Sequence, residues 1–356
     1  MTVHREFVLR DDPRFGHCHA STLLPLPDGE ALAAWFAGSR EGADDVAIWL
    51  ARRTGGGWQA PVKVADEAGL PHWNPVLFAT GHGEVLLFCK TGHRIPHWRT
   101  RVLRSRDGGL GWSAPAELVP GAEGAGGRGP VKNKPIRLAD GGWLAPASVE
   151  EPRSAGGRWD AFTDRSDDGG ASWRRSAPVP LDRPAFRGAG VIQPALWESA
   201  PGEVRMLLRS SCGRVCRSAS HDGGRTWSTA RPLDVPNNNS GLDAVRLADG
   251  RVVLAHNPVA AAWGARTPLV LSVSEDDGIT WRRAVVLEDR PVSRPGAIVP
   301  DETGVRTDGR AEFSYPAVVP WADGVAVTYT WQRRGIAFAI VSGAALGRNN
   351  ESTVNG

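Results

Sequence analysis

Short apolar runs recur along the chain, each bounded by Gly, Asp or Pro. Residues 31–36, 85–88, 252–255 and 325–329 are examples. These are strand lengths, and no convincing amphipathic helical stretch separates them. Turn signals follow the same rhythm, at Asp28-Gly29, Gly81-His82-Gly83, Asp140-Gly141, Pro201-Gly202, Asp249-Gly250 and Asp323-Gly324. Glycine in such places supplies the positive φ that a tight hairpin needs. The pattern predicts an all-β protein of six similar units.

A second periodic mark specifies the units. Ser105-Arg106-Asp107-Gly108-Gly109-Leu110-Gly111-Trp112 reads Ser-x-Asp-x-Gly-x-(Gly/Ser/Thr)-Trp, and so do residues 166–173, 220–227 and 274–281. Their tryptophans lie 61, 54 and 54 residues apart. A degenerate copy, Thr54-Gly55-Gly56-Gly57-Trp58, precedes the first. A fixed period of this size marks a repeat architecture. Four strands per period predict a six-bladed β-propeller, a single domain over residues 1–346. The strand after Tyr329 is expected to pair with the N-terminal segment and close the ring. Within each motif the Ser and Asp side chains suit local backbone N–H groups, and the Trp suits packing between strands. The motifs are therefore structural.

Composition narrows the function classes. Hydrophobic content of 41% and charge of 23% are those of an ordinary globular protein. The net charge of +3 comes without a dense basic stripe, so no nucleic-acid partner is expected. No run of 18 apolar residues occurs, so no membrane span is expected. The N-terminus lacks the apolar core of a secretory signal, which predicts a cytoplasmic protein. Four cysteines are few for a disulfide scaffold. Cys212-x3-Cys216 has no matching His/Cys pair at zinc spacing, so neither a metal nor another cofactor is expected.

The repeats are Asp-boxes, and with the six-fold period the chain resembles the BNR/Asp-box branch of the sialidase (neuraminidase) superfamily over roughly residues 15–340. The resemblance implies a Tyr nucleophile near the last blade, which falls on Tyr315 in Phe313-Ser314-Tyr315-Pro316. It implies an activating Glu before a turn and ahead of an Arg, which falls on Glu198. It implies three carboxylate-clamping arginines. Arg209 and Arg266 resemble two of them, and the third position holds His19 instead, a departure from the family's pattern. The implied acid/base Asp falls on the loop Ser39-Arg40-Glu41-Gly42-Ala43-Asp44-Asp45. Asp45 is the first choice there, with Asp44 and Glu41 as alternatives and Arg40 as a substrate contact.

Other segments precede inner strands and are read as substrate-binding: Lys132-Asn133-Lys134, Asn239 and Asp243 in the Asn-rich stretch, Asn74 before Pro75, and Gln193 before Pro194. Paired cations beside a carboxylate site suit an anionic ligand. Residues 290–311, rich in Pro and Gly, read as a lid or a disordered loop, the lid being the sharper expectation, and 347–356 as a disordered tail. The resemblance implies an exo-glycosidase for a terminal acidic or sialic-acid-like sugar, its partner being a small, anionic carbohydrate. A lyase or isomerase working through a His19/Tyr315 acid–base pair, and a non-catalytic carbohydrate-binding propeller, are the alternatives.

Overall fold

The structure is a computed structural model, and it describes residues 3–81, 83–122, 127–152, 154, 156–289 and 311–347. The proposed lid thus lies outside the described residues except for Ala311, and the tail except for Gly347.

Six antiparallel sheets form the blades of a six-bladed β-propeller. The first blade holds His17–Pro25, Ala31–Gly38 and Ala47–Thr54, with Gly57–Trp58 and Val62–Ala65 sharing its outer edge. Each later blade follows the same order, from an inner strand outward. The ring closes as expected. Val3–Arg10 is the outer strand of the sixth blade, paired antiparallel with Gly335–Val341 from Val3↔Val341 to Arg10↔Gly335. The sixth blade is thus completed by a strand from the other side of the ring's junction.

The core is a set of layers between blades rather than one mass. Leu32, Ile48, Leu77 and Leu87 pack the first blade on the second. Leu144, Val191, Met206 and Leu208 pack the third on the fourth, and Val253, Leu271, Val318 and Val327 the fifth on the sixth. The second strands of the blades, such as Ala31–Gly38, Val85–Thr91, Val252–His256 and Gly324–Trp331, therefore bury both faces, which explains why their apolar runs are continuous rather than alternating. Tyr329 belongs to this core and donates to Glu288 Oε1 at 2.8 Å.

The Asp-boxes follow the third strand of the second to fifth blades. In each, the Ser hydroxyl donates to the Asp carboxylate and accepts the amide of the fifth residue. For Ser220 these bonds are 2.7 Å to Asp222 and 2.9 Å from Gly224. The fourth and fifth residues are left-handed in every box, with φ of 70° and 82° at Gly223 and Gly224. The fourth box places Asp277 at that fourth position, with φ of 58°. Each of three boxes also bonds the preceding blade. Arg52 donates to the Gly108 carbonyl, Thr163 to that of Gly224 and Arg217 to that of Asp277.

Candidate active site

The inner strands carry a feature that the Asp-boxes do not. In four of them two residues oppose one on the neighbouring strand, a β-bulge, at residues 20–21, 74–75, 193–194 and 315–316. The first bulge residue is left-handed, with φ of 54° at Ala20, 44° at Asn74, 52° at Gln193 and 51° at Tyr315. Lys132 and Asn239, just before the inner strands of the third and fifth blades, are left-handed as well, with φ of 69° and 58°. Proline follows at Pro75, Pro194 and Pro316, where a bulge needs no ladder N–H. Non-glycine residues in this backbone region are strained, and such strain clusters at functional sites.

Three of these bulge residues, Asn74, Gln193 and Tyr315, reach one cavity of about 170 Å³. His19, Glu41, Glu150, Arg209, Arg266 and Arg333 supply its titratable groups beside His93, and Trp73, Ile95, Trp98 and Trp263 its apolar wall. Tyr315 stands among three cationic or imidazole side chains. Arg209 Nη1 donates to its hydroxyl at 2.9 Å, the Arg266 guanidinium lies 5.5 Å from its ring centroid, and the His19 ring lies 4.3 Å away. Arg209 is held by Gln193 Oε1 and Asn239 Oδ1, both at 3.0 Å, and its guanidinium lies 5.7 and 5.6 Å from the ring centroids of Trp159 and Trp263.

A buried carboxylate fixes the other two guanidiniums. Glu312 Oε1 accepts from Arg266 Nη1 at 2.6 Å, Arg333 Nε at 2.9 Å and Ser314 Oγ at 2.7 Å. Burial opposes its charge, but Arg333 and Arg266 overcome that and hold the Glu312 carboxyl down to about 2. Arg333 also bonds Glu41 Oε2. Burial, reinforced by Arg333 and Arg266, drives the His19 imidazole well below its ordinary value, so it is neutral at pH 7. Its Nδ1 meets Thr330 Oγ1 at 2.8 Å. Glu150 behaves oppositely to Glu312. Burial raises its carboxyl, with only Arg209 acting against the shift.

The structure therefore brings together Tyr315, His19, Arg209, Arg266, Asn74 and Gln193 as cavity-lining residues, with Asn239 one bond behind. It does not bring the other expected residues to the cavity. Glu198 lies at the outer hairpin of the fourth blade, where its oxygens accept the amides of Ala139 and Gly202 at 2.7 and 2.8 Å. Asp45 accepts the Ser39 amide and hydroxyl at 2.9 and 2.8 Å, which closes its own loop. Asp44 instead meets His93 Nε2 at 2.8 Å, so it touches a lining residue without lining the cavity. Arg40 is exposed on the same loop. Glu41, the remaining alternative on that loop, is the one that faces the cavity.

The two lysines are a further correction. Lys132 Nζ donates to the carbonyls of Leu242 at 2.7 Å and Pro316, which ties the third blade to the fifth and sixth. Burial lowers its ammonium to about 7, against the pull of Asp243. Lys134 pairs with Asp243 at 2.7 Å, Asp243 also accepts the Val318 amide at 2.9 Å, and Asn133 bonds the carbonyls of Gln193 and Pro194. Lys132, Asn133, Lys134 and Asp243 are thus an axial brace rather than a ligand surface.

Sequence reasoning missed Glu150, Glu312 and Arg333. The repeated residue-Pro step at 74–75, 193–194 and 315–316 was a usable signal for the cavity. Nothing comparable marks Glu150, at the end of Trp143–Glu150, or Arg333, in a turn. Among the described residues no three His, Cys, Asp or Glu side chains cluster so as to hold a metal ion. No helix among them is long and apolar enough to cross a membrane.

The bladed ring, its Asp-boxes and the arginine-rich cavity at its axis define a propeller of the sialidase/BNR-repeat superfamily. Within it, the chain belongs to the family of BNR repeat-like domains, whose model matches residues 29–327. No curated protein matches the sequence. Solved structures do. A protein of unknown function from Dyadobacter fermentans is 18% identical with a TM-score of 0.71, over 95% of this chain and 98% of that one. The Hadza microbial sialidase Hz136 is 16% identical with a TM-score of 0.73, over 96% and 69%. A Trypanosoma rangeli sialidase, solved with 2,3-difluorosialic acid as a covalent intermediate, is 14% identical with a TM-score of 0.69, over 95% and 59%. At such identities the likeness is one of fold.

Proposed function

We propose that this chain is a sialidase-like exo-glycosidase that removes a terminal acidic sugar, with Tyr315 as its nucleophile. The observation that carries the reading is the Tyr315 hydroxyl at 2.9 Å from Arg209, on a strained bulge inside a cavity that also holds Arg266 and Arg333. A guanidinium at the phenol oxygen stabilises negative charge as it develops there. The remaining guanidiniums suit a carboxylate, for which planar two-pronged donation is the strongest match.

The cavity's two lining carboxyls take the acid–base roles. Glu150 accepts the phenol proton as Tyr315 attacks the anomeric carbon, a role that burial favours by bringing its proton affinity closer to neutrality. Glu41 protonates the departing oxygen. A substrate carboxylate seated on Arg333 competes with Glu41 for that guanidinium and frees Glu41 to carry the proton. In the second half, Glu41 takes a proton from water, the water oxygen attacks the anomeric carbon, and Glu150 returns its proton to the leaving phenolate. This is retention through a Tyr, outside the usual pair of carboxylates.

A second reading rests on the 4.3 Å contact between the His19 and Tyr315 rings. With His19 neutral, that pair suits proton abstraction beside a carboxylate, followed by elimination or isomerisation. One screen separates the readings. Chromogenic sialosides and uronides are offered to the wild-type protein and to Tyr315→Phe. Hydrolysis releases the chromophore with no new ultraviolet band, and Tyr315→Phe lowers turnover about 10³-fold or more with an unchanged melting temperature. An unsaturated, ultraviolet-absorbing product selects the lyase, and full activity in Tyr315→Phe removes the nucleophile.

A further inference from the structure

The turn after the second strand of the fourth blade, residues 211–213, holds Cys212, and the next strand, Arg214–Ser220, holds Cys216; neither cysteine lines the cavity. Both are free. Cys212 is half-buried and opens onto a separate cleft of about 410 Å³, lined among others by Asp182, Phe186, Arg187, Arg214 and Arg231. Cys216 is fully buried, in the apolar cluster against which Cys212 packs. Ser210 completes the cluster. Its hydroxyl lies 3.1 Å from Cys212 Sγ and accepts the Cys212 amide at 3.2 Å.

We propose that Cys212 and Cys216 are a dithiol site for small hydroperoxides, with Cys212 the attacking sulfur and Cys216 the resolving one. The Cys212 thiolate attacks the outer oxygen of the peroxide, the O–O bond breaks, and a sulfenic acid forms as the alkoxide or hydroxide leaves with a proton. The Cys216 sulfur then attacks the Cys212 sulfur, and the sulfenic oxygen leaves as water with the Cys216 proton. The two sulfurs lose two electrons together, and the peroxide gains them.

The surroundings support each role. The thiolate is the reactive form of cysteine, and electropositive, partly exposed settings favour it. The Cys216 thiol and the Ser210 hydroxyl pull Cys212 down to about 6, while Cys212 and burial push Cys216 far up. Conversion of Cys212 to the sulfenic acid removes the thiolate that holds the Cys216 proton, and that proton can then leave with the water. Arg187 and Arg231 line the cleft beside Asp182, and Arg214, the third guanidinium there, pairs with Asp234 at 3.0 Å, so the surroundings keep a net positive charge. The other two cysteines lack this setting. Cys18 and Cys89 are buried in inter-blade layers, and burial raises Cys89 to about 12.

The test uses the full chain and hydrogen peroxide at a few equivalents, followed by alkylation and peptide mass mapping. The expected result is a Cys212–Cys216 disulfide, about 2 Da lighter than the dithiol, with Cys18 and Cys89 still alkylated. Cys216→Ser stops at a Cys212 sulfenic acid that dimedone traps, and Cys212→Ser leaves Cys216 reduced. Before oxidation, iodoacetamide labels Cys212 in the folded wild-type protein at least about tenfold faster than Cys216 at pH 7. Free thiols at both positions after peroxide, oxidation of Cys18 or Cys89 at an equal rate, or equal labelling overturns the proposal. These readouts need no glycoside, so the result stands apart from that of the Tyr315 screen.

Discussion

The two ends of the second to fifth blades solve the same backbone problem in opposite ways. The Asp-box turns and the cavity-side bulges both need left-handed residues. The turns use glycine at seven of the eight such positions, and Asp277 is the exception. The bulges and their counterparts use Ala20, Asn74, Lys132, Gln193, Asn239 and Tyr315, and no glycine. Glycine enters this region without steric cost, whereas a residue with a side chain is strained there. The boxes thus minimise strain and serve only the ring. At five of these positions the side chain lines the cavity or braces what lines it, and Ala20 instead packs in the layer between the first two blades.

This contrast can be broken first at the cavity. Glu150→Gln is expected to lower kcat/KM about 10²- to 10⁴-fold on the substrate found by the screen. As Glu150 acts as a base with a raised carboxyl, wild-type activity rises with pH through a limb above the ordinary carboxylate range, and the substitution removes that limb. Glu198→Gln, at the outer hairpin, is expected to leave turnover within about twofold. Equal losses in the two variants would erase the distinction.

The Asp-box end should respond in stability and not in turnover. A Cβ on Gly224 meets Leu144 Cδ2 at 2.4 Å, and the residue sits at φ +82°. Gly224→Ala is therefore expected to destabilise by about 1–3 kcal/mol in urea unfolding, with kcat preserved. Ser220→Ala leaves the buried Gly224 amide without its acceptor and is expected to cost about 1–2 kcal/mol in the same measurement. A fall in kcat at constant stability in either variant would tie the boxes to catalysis.

The smallest effect is a dependence on acid. Local hydrogen bonds, led at Asp168 by the Ser172 hydroxyl, hold Asp168, Asp222 and Asp276 at about 2. A carboxyl depressed in the folded state stabilises fully above its unfolded value near 4 and loses that contribution as pH falls toward 2. Melting temperature is thus expected to decline from about pH 4 downward, and Asp222→Asn to show a shallower decline.

Much of the scaffold was legible in the chain. The box period, the Asp-Gly turns and the closing strand all survive in the structure, as do Tyr315, Arg209, Arg266 and His19 as neighbours. The carboxylates were not legible. Glu198 and Asp45 satisfied a spacing, but each had a nearer use: their oxygens bond backbone amides within their own hairpin or loop. Lys132 and Lys134 were rightly singled out as unusual, yet carbonyls and Asp243 across the axis consume their protons.

The division follows from range. The sequence alone determined whatever depends on contacts a few residues apart: a Ser that reaches its Asp two positions on, a glycine that permits a turn, a run of apolar residues that forms a strand. Those contacts need no ring to define them. The cavity depends on pairs such as Glu41 with Arg333 and Arg209 with Tyr315, separated by 292 and 106 residues. Only closure of the six blades brings these charges together and withdraws them from water. That step, and not spacing along the chain, chose which carboxylates line the cavity with Tyr315.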